Sequence, residues 1–497
     1  MRQISCNQIQ QWANASIISG EPAGDLFFER LCSDTRFLQP GDLFIALRGE
    51  LFDGHDFLKE AVEAGASAVI IDQADAWSNV SKELGIRESI CVYLVEETRA
   101  ALQDIASGYR HQLKSTVIAV TGSVGKTSTR RMIAACLEPS LSVHQTEANL
   151  NNEIGLSQTI LAAQPDDEAI VVEMGMRHSG EIRQLSRIAS PDIGIITCIG
   201  WSHIGELGSQ KAILAAKWEL AESLKPGSLL ILNAEDPLLI DASRTLDTSI
   251  RLALVCTTDE GFKQADLIRE RVCLLAAAKH IEIESEQTSF DAVIEQDGQT
   301  SQTAVLLPYP GSHHIQNALF GLTVAAAMNL NLTRSATGAA RYQAVGNRQR
   351  IIEQQQITIM DDSYNAAPES MEAALESLSL IAGSNRKIAV LGCMLELGAF
   401  TPDVHRWVGE QVAQHGYSLL LAYGPEAEDY LIGARQVNSE IPSCVCLDHD
   451  EITARLISFI RPGDFILIKG SRGYTMEKVT ELLLKQLNLR FENGGDQ

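Results

Sequence analysis

The sequence predicts an α/β protein in three parts, with mostly parallel sheet at its centre. Three observations carry this. Short apolar, β-branched runs of strand length alternate with longer helical patterns along most of the chain, as in βαβ units whose parallel strands are buried on both faces. One such strand runs through a glycine loop into a helix, VIAVTGSVGKTSTRRMI at 117–133. The stretch 256–303 alternates polar and apolar residues instead, and reads as antiparallel strands.

In chain order, residues 1–112 hold the loop-rich SDTRFLQPGDLFIALRGELFDGHDF and a strand at SAVIID (67–72). Residues 113–345 hold strands at STVIAVTG (115–122), AIVVEMG (169–175), DIGIITCIG (192–200) and SLLILN (228–233), with helical spacing in KAILAAKWELAESL (211–224). Residues 346–497 form a second α/β block, with strands at KIAVLG (387–392) and DFILIKG (464–470). Its helix SMEAALESLSLI (370–381) places Met371, Ala374, Leu375 and Leu378 on one face. The chain shows no internal repeat and no low-complexity tract.

A length of 497 residues suits two to four domains, and 45% apolar residues suffice for a large core. The net charge of −24, from 64 acidic and 40 basic residues, argues against sequence-independent nucleic-acid binding. An anionic ligand would need lysines and arginines gathered locally. The N-terminal MRQISCNQIQQW lacks the apolar core of a signal peptide, and no apolar run reaches the roughly 18 residues of a membrane span. Ten cysteines are scattered, and only Cys444 and Cys446 sit close together, which suits the reduced thiols of a cytoplasmic protein.

The loop after the strand at 115–122 is the main chemical signal. The common phosphate loop, G-x-x-x-x-G-K-[ST], would place its first glycine at position 120, which is Val120; here the glycine comes late, at Gly122. The context still fits a phosphate site, because N–H groups at a helix N-terminus point at an anion and the helix dipole favours it. Thr121, Gly122, Ser123, Val124 and Gly125 would form the cradle. Lys126 would neutralise β/γ-phosphate charge, and the Thr127 hydroxyl would reach Mg²⁺. Glu173 falls at the C-terminus of one later strand and His203 just past another, at the carboxyl ends where open parallel sheets bind ligands, and each could hold Mg²⁺. Lys217, in the apolar AILAAKWEL, reads by spacing alone as a lysine snorkelling from a helix edge.

The shortened loop TGSVGKTS resembles that of the Mur ligases, the ATP-dependent amide-forming enzymes of peptidoglycan synthesis, and of folylpolyglutamate synthetases. Further stretches, GDLFIALRGELFDGHDF, NLNNEIGLSQTIL, VVEMGMRHSGEI, DDSYNAAPESM, LGCMLELG and IKGSRGYTMEKV, resemble the branch that adds D-alanyl-D-alanine to a UDP-MurNAc-tripeptide. The resemblance implies a UDP-sugar-binding N-terminal domain, a central P-loop ATPase and a C-terminal Rossmann-like domain. It also implies a monomer working in the cytoplasm.

It supplies roles as well. Lys126, Thr127 and Arg348 would hold ATP phosphates, Asn317 the adenine and Asp362 the ribose. Thr127, Glu173, His203 and Lys217 would serve two Mg²⁺ sites, with Lys217 as a carbamate. Lys126, Lys217, His203 and Arg348 are then the expected catalytic set. Asp34, Thr35 and Arg36, with Thr146, Asn149 and Asn152, would meet the UDP-sugar. Tyr364, Asn365, Lys469, Ser471 and Arg472 would line the acceptor side. His405 and the carboxylates at 361–362 are candidates for the base that takes the amine proton. Cys393 stands where the family often has Asp. Ser128, Thr35 and Ser157 replace an expected Thr, Ser and Pro.

The implied reaction runs through an acyl phosphate, formed by attack of the tripeptide carboxylate on ATP and then resolved by the dipeptide amine. The nearest rivals are a sister ligase, either tripeptide-forming or folylpolyglutamate-forming, and a nucleotide-dependent switch. DDSYNAAPESM favours the dipeptide-adding branch. A GTP switch would need N-K-x-D, and LNAEDP has no lysine after Asn233.

Overall fold

The computed structural model describes residues 4–20, 27–49, 51–85, 90–343 and 346–494. The expected boundary at 345/346 adjoins residues 344–345, which lie outside them.

The chain builds three separate large sheets, each covered by helices. The first has five strands in the order Ser16–Ser19, Cys91–Leu94, Ala68–Ile71, Leu43–Ile45, Leu31–Cys32, parallel except for the first pair. The central sheet has nine. Seven run parallel, in the spatial order Val143–Gln145, Ala169–Glu173, Thr116–Thr121, Ile193–Ile196, Leu229–Asn233, Arg251–Cys256, Val272–Ile283. Thr288–Gln296 and Gln299–Leu307 then add antiparallel at the edge, as the polar alternation of that stretch predicts. The third sheet has six strands, parallel but for the antiparallel edge pair Arg350–Gln354 and Ile357–Asp362.

The run VIAV explains itself in this setting. Val117 and Ala119 enter one apolar cluster, Ile118 and Val120 the cluster on the opposite face, and all four are fully buried. A strand covered on both sides needs apolar residues at every position. The helix Pro368–Ala382 starts on a proline, which suits the first helical turn. It buries Met371, Ala374, Leu375 and Leu378, the face its spacing predicts. Among the described residues no helix is long and apolar enough to cross a membrane. All ten cysteines are unbridged.

Candidate active site

The strand Thr116–Thr121 delivers the loop to the helix Lys126–Leu137. Gly122 has φ +149°, and a Cβ there would collide with the Thr197 hydroxyl; Gly125, at φ +84°, turns the chain into the helix. The loop is pinned to the chain that follows the neighbouring strand. Ser123 N–H donates to Cys198 O (2.9 Å), Thr197 Oγ1 to Val124 O (2.6 Å), and Gly200 N–H to Ser123 Oγ (2.8 Å). Thr121 Oγ1 donates to Met174 O at 2.9 Å. Thr121 and Gly122 thus form the floor, while Ser123, Val124, Gly125, Lys126 and Thr127 line a cleft of about 1220 Å³. Lys126 Nζ donates to Gly122 O (2.9 Å) and Ser123 O (3.2 Å). Burial holds its ammonium below the usual lysine range, against the opposing pull of Glu173.

Glu173 ends the adjacent strand, 2% exposed. Asn151 Nδ2 donates to its Oε1 (2.8 Å), and Thr146 Oγ1 accepts its backbone N–H (3.0 Å). Its Oε2 is buried with no hydrogen-bond partner among the described residues, 3.6 Å from Arg130 Nε. A buried carboxylate oxygen left without a hydrogen bond, on the cleft that the Thr127 hydroxyl also lines, suits a hard cation. Thr127 and Glu173 are oxygen donors of the kind Mg²⁺ takes, with His203 on the same cleft. Among the described residues no three His, Cys, Asp or Glu side chains converge on one point, so the cation would draw its other ligands elsewhere. Phosphate oxygens and waters would complete its shell.

Lys217 is 1% exposed, inside the helix Gln210–Ser223, so it does not snorkel from an edge. Its ammonium has no hydrogen-bond partner among the described residues and lies within electrostatic reach of Lys126 and Cys198, two residues that line the cleft. Burial, reinforced by Lys126, pushes its pKa well below the usual value.

The third sheet supplies the other wall. Arg348 Nη2 donates to Thr127 Oγ1 at 3.2 Å, and its guanidinium stacks 4.0 Å over the Tyr364 ring. Lys469 Nζ donates to Asp362 Oδ2 (2.6 Å) and Asn365 O (3.0 Å). Ser471 Oγ accepts from Leu395 N–H (3.0 Å) and donates to Ala366 O (3.3 Å). Arg472 pairs with Glu477 at 2.6 Å. Asn317, from the helix Ser312–Ala327, accepts at Oδ1 from Thr129 Oγ1 (2.7 Å) and faces the same cleft.

The expected UDP-sugar residues do not converge. Asn149 and Asn152 line the cleft, whereas Thr146 is buried beneath Glu173. Asp34 borders a separate pocket of about 420 Å³ with Gln158 and Leu161. Its carboxylate pairs with the exposed Arg36 at 2.6 Å, and Thr35 donates to Glu60 at 3.4 Å. Two base candidates stand away from the cleft. His405 is fully buried, its Nδ1 against Thr401 O (2.7 Å) and its Nε2 accepting Met394 N–H (3.0 Å). Asp361 is buried and accepts from Ser363 N–H and Oγ. Cys393 is buried against the Glu426 N–H, just before the helix Ala427–Val437, and burial pushes its thiol up to about 12.

Three carboxylates at the site escape sequence reasoning. Glu219 accepts from Ser179 Oγ, Gly180 N–H and Arg183 N–H. Glu369 crosses from the third unit to accept Trp201 N–H at 2.9 Å, and burial raises its pKa. Glu396 crosses to His203. The last two lie in DDSYNAAPESM and LGCMLELG, but their partners are remote in sequence.

Phosphate loop, strand-end carboxylate and an arginine brought by a separate α/β unit define a multi-domain protein of the nucleotide-site class. Family models match three consecutive stretches: Mur ligase family, catalytic domain (29–110), Mur ligase middle domain (120–325), and Mur ligase, glutamate ligase domain (347–472). A UDP-N-acetylmuramoyl-tripeptide–D-alanyl-D-alanine ligase of Synechocystis sp. is 36% identical over 93% of both chains. The enzyme of the same name from Bacillus subtilis is 32% identical over 92% of this chain and 93% of its own. Among solved structures, a MurF from Acinetobacter baumannii superposes with TM-score 0.84 at 27% identity, covering 98% of this chain and 99% of that one. MurF from Thermotoga maritima in complex with ADP gives 0.76 at 26% identity, covering 93% and 98%. The chain belongs to the Mur ligase family.

Proposed function

We propose that the chain joins the terminal carboxylate of UDP-MurNAc-tripeptide to the amine of D-alanyl-D-alanine, using ATP. The reading draws its substrates from the names of the relatives above. The observation that carries it is Arg348 on Thr127, a third-unit cation seated on the phosphate loop at 3.2 Å. On this reading residues 1–112 bind the UDP-sugar, 113–345 the ATP, and 346–497 close over the site.

A carboxylate is a poor electrophile, so the tripeptide carboxylate first attacks the γ-phosphorus, giving an acyl phosphate and ADP. The dipeptide amine then attacks the acyl carbon, and phosphate leaves. The first step joins two anions, so positioning and charge neutralisation carry most of the catalysis. Lys126 and Arg348 supply that charge from this chain. Mg²⁺, when bound, would add to it. Thr127, Glu173 and His203 would hold the ion, with Lys217 as a carbamate supporting a second. Asn317 and Asp362 would take the adenine and ribose. Asn149 and Asn152 on the cleft, and Asp34, Thr35, Arg36 and Thr146 beyond it, would serve the UDP-sugar. Tyr364, Asn365, Lys469, Ser471 and Arg472 would shape the acceptor side. Closure excludes water that would hydrolyse the acyl phosphate. The free thiols suit a cytoplasmic enzyme, and the family resemblance implies a monomer.

The test is phosphate release from ATP and Mg²⁺ with UDP-MurNAc-tripeptide, with and without D-alanyl-D-alanine, and mass spectrometry of the product. Release requiring both, with a pentapeptide product, is expected. Release from ATP alone, indifferent to either substrate, would overturn the reading.

A further inference from the structure

The junction between the central and third units meets the cleft at one histidine. His203 Nδ1 lies 2.7 Å from Glu396 Oε2, close but out of line for a hydrogen bond, and is buried with no hydrogen-bond partner among the described residues. Both residues sit at positive φ, +64° and +66°, which side chains other than glycine adopt at a cost. Surrounding contacts hold them there. Gly205 N–H donates to Glu396 O at 2.9 Å. Gly205 and Gly398 approach so closely that a Cβ on Gly205 would lie 2.8 Å from Glu396 O and 2.9 Å from Gly398 N. Trp201 and Phe400 meet edge to face at 5.3 Å. The chain is thus built to bring this carboxylate to this ring.

The Glu396 side chain is 43% exposed, so the pair adds little stability. Its consequence is orientation. Once a small turn of the ring aligns the pair, the carboxylate, which only accepts when ionised, selects the tautomer with the proton on Nδ1 and leaves Nε2 with its lone pair. Histidines that bind metals are commonly oriented in this way by a carboxylate on the far ring nitrogen. We infer that Glu396 is a positioning residue which, as the third unit closes, fixes His203 with Nε2 free to ligate. The central unit's metal-binding histidine is then completed by a carboxylate of the third unit. The inference rests on the proposed reading of His203 as a ligand.

The test measures Mn²⁺ binding by electron paramagnetic resonance, on full-length enzyme with a non-hydrolysable ATP analogue. Wild type is compared with Glu396→Ala, Glu396→Gln and Phe400→Ala. Nucleotide binding without metal is followed separately, and ¹⁵N-histidine spectra report the His203 tautomer. Losing an outer-shell partner typically weakens metal binding about ten- to hundredfold. Glu396→Ala is expected to show that loss together with a mixed tautomer. Glu396→Gln, which keeps an acceptor, should fall between it and wild type. Phe400→Ala removes a docking contact without touching the ring and should stay within about twofold of wild type. Equal Mn²⁺ affinity in wild type and Glu396→Ala overturns the inference. So does a loss in Phe400→Ala as large as in Glu396→Ala, which would make the role one of docking alone. Wild-type enzyme that binds the nucleotide but no Mn²⁺ overturns the ligand reading of His203 itself, a failure distinct from the other two.

Discussion

Glu219 offers the sharpest mechanical test of how the site is held. The helix Glu181–Ala189 begins at Gly180, which has φ +92° and no side chain to cap the first turn. Glu219, 3% exposed on the neighbouring helix Gln210–Ser223, supplies the cap from outside: Oε1 accepts Gly180 N–H at 2.7 Å and Oε2 accepts Arg183 N–H at 3.0 Å. The segment it fastens carries Gly175, Met176, Arg177 and His178 into the cleft. A hydrogen bond to a charged acceptor is worth about 1.5–3 kcal/mol, so two amount to about 3–6. Gly180 is only half-buried and Arg183 exposed, so water recovers part of this in Glu219→Ala. The net loss should be about 3 kcal/mol, near a hundredfold in an opening equilibrium. Hydrogen exchange read by mass spectrometry should therefore show amides 180–184 exchanging about a hundredfold faster, while the strand Thr116–Thr121 keeps its protection. Glu219→Gln keeps one acceptor and should lose about half as much free energy. Exchange at 180–184 within about threefold of wild type in Glu219→Ala would refute the reasoning, because the N–H groups would then have other acceptors.

Three further outcomes follow from the geometry. Burial raises the Glu369 carboxyl above its ordinary 4.5. The docked state therefore binds that proton more tightly, and docking should weaken as pH climbs from about 4.5 through the raised value. Small-angle scattering across that window should show Glu369→Gln insensitive where wild type opens; parallel profiles would reject this. Arg348→Lys loses both the Thr127 bond and the stack on Tyr364, so nucleotide affinity should fall about tenfold although charge is kept, and titration calorimetry giving an unchanged Kd would contradict it. Burial lowers the Lys217 pKa well below the usual value and so raises the share of the uncharged amine, the form that captures CO₂. A carbamate carbonyl signal should appear with ¹³C-bicarbonate and vanish in Lys217→Arg, and its absence from wild type would remove the carbamate from the scheme.

The parallel strands were legible because burial on both faces forces unbroken apolar runs. STVIAVTG resolves as Thr116–Thr121, DFILIKG as Phe465–Lys469, and KIAVLG as Lys387–Gly392. The phosphate loop was legible because its strand, glycines and helix are contiguous. Lys217 misread for the opposite reason. Its helix also buries Ile213, Ala216 and Leu220, with Leu214 and Trp218 packed on the same cluster, and position 217 falls within that buried face, away from the exposed Lys211, Ala215 and Glu222. Thr146, three residues before NLNNEIGLSQTIL, turns inward and holds the Glu173 backbone, and no local pattern reports that turn. Glu369 and Glu396 lay within quoted motifs, yet each depends on a backbone or ring some 170–190 positions away.

Those cross-unit contacts bear on how variants should be read. Arg348 touches Thr127, Glu369 holds the backbone of Trp201, and Glu396 faces His203. Each third-unit residue lands on, or within a few positions of, a group proposed to do chemistry. Through these three contacts, docking of the third unit completes the site. A mutation that removes one of these three contacts lowers the fraction of molecules with a complete site, while the residues proposed for the UDP-sugar in the first unit stay as they were. Such variants should lower kcat in step with the closed population and spare the affinity for the UDP-sugar. Damage at Asn149 or Asn152, which face the cleft without touching the third unit through any hydrogen bond in the described residues, should do the reverse. A junction variant that raised the UDP-sugar KM while leaving kcat intact would separate docking from assembly and break this account.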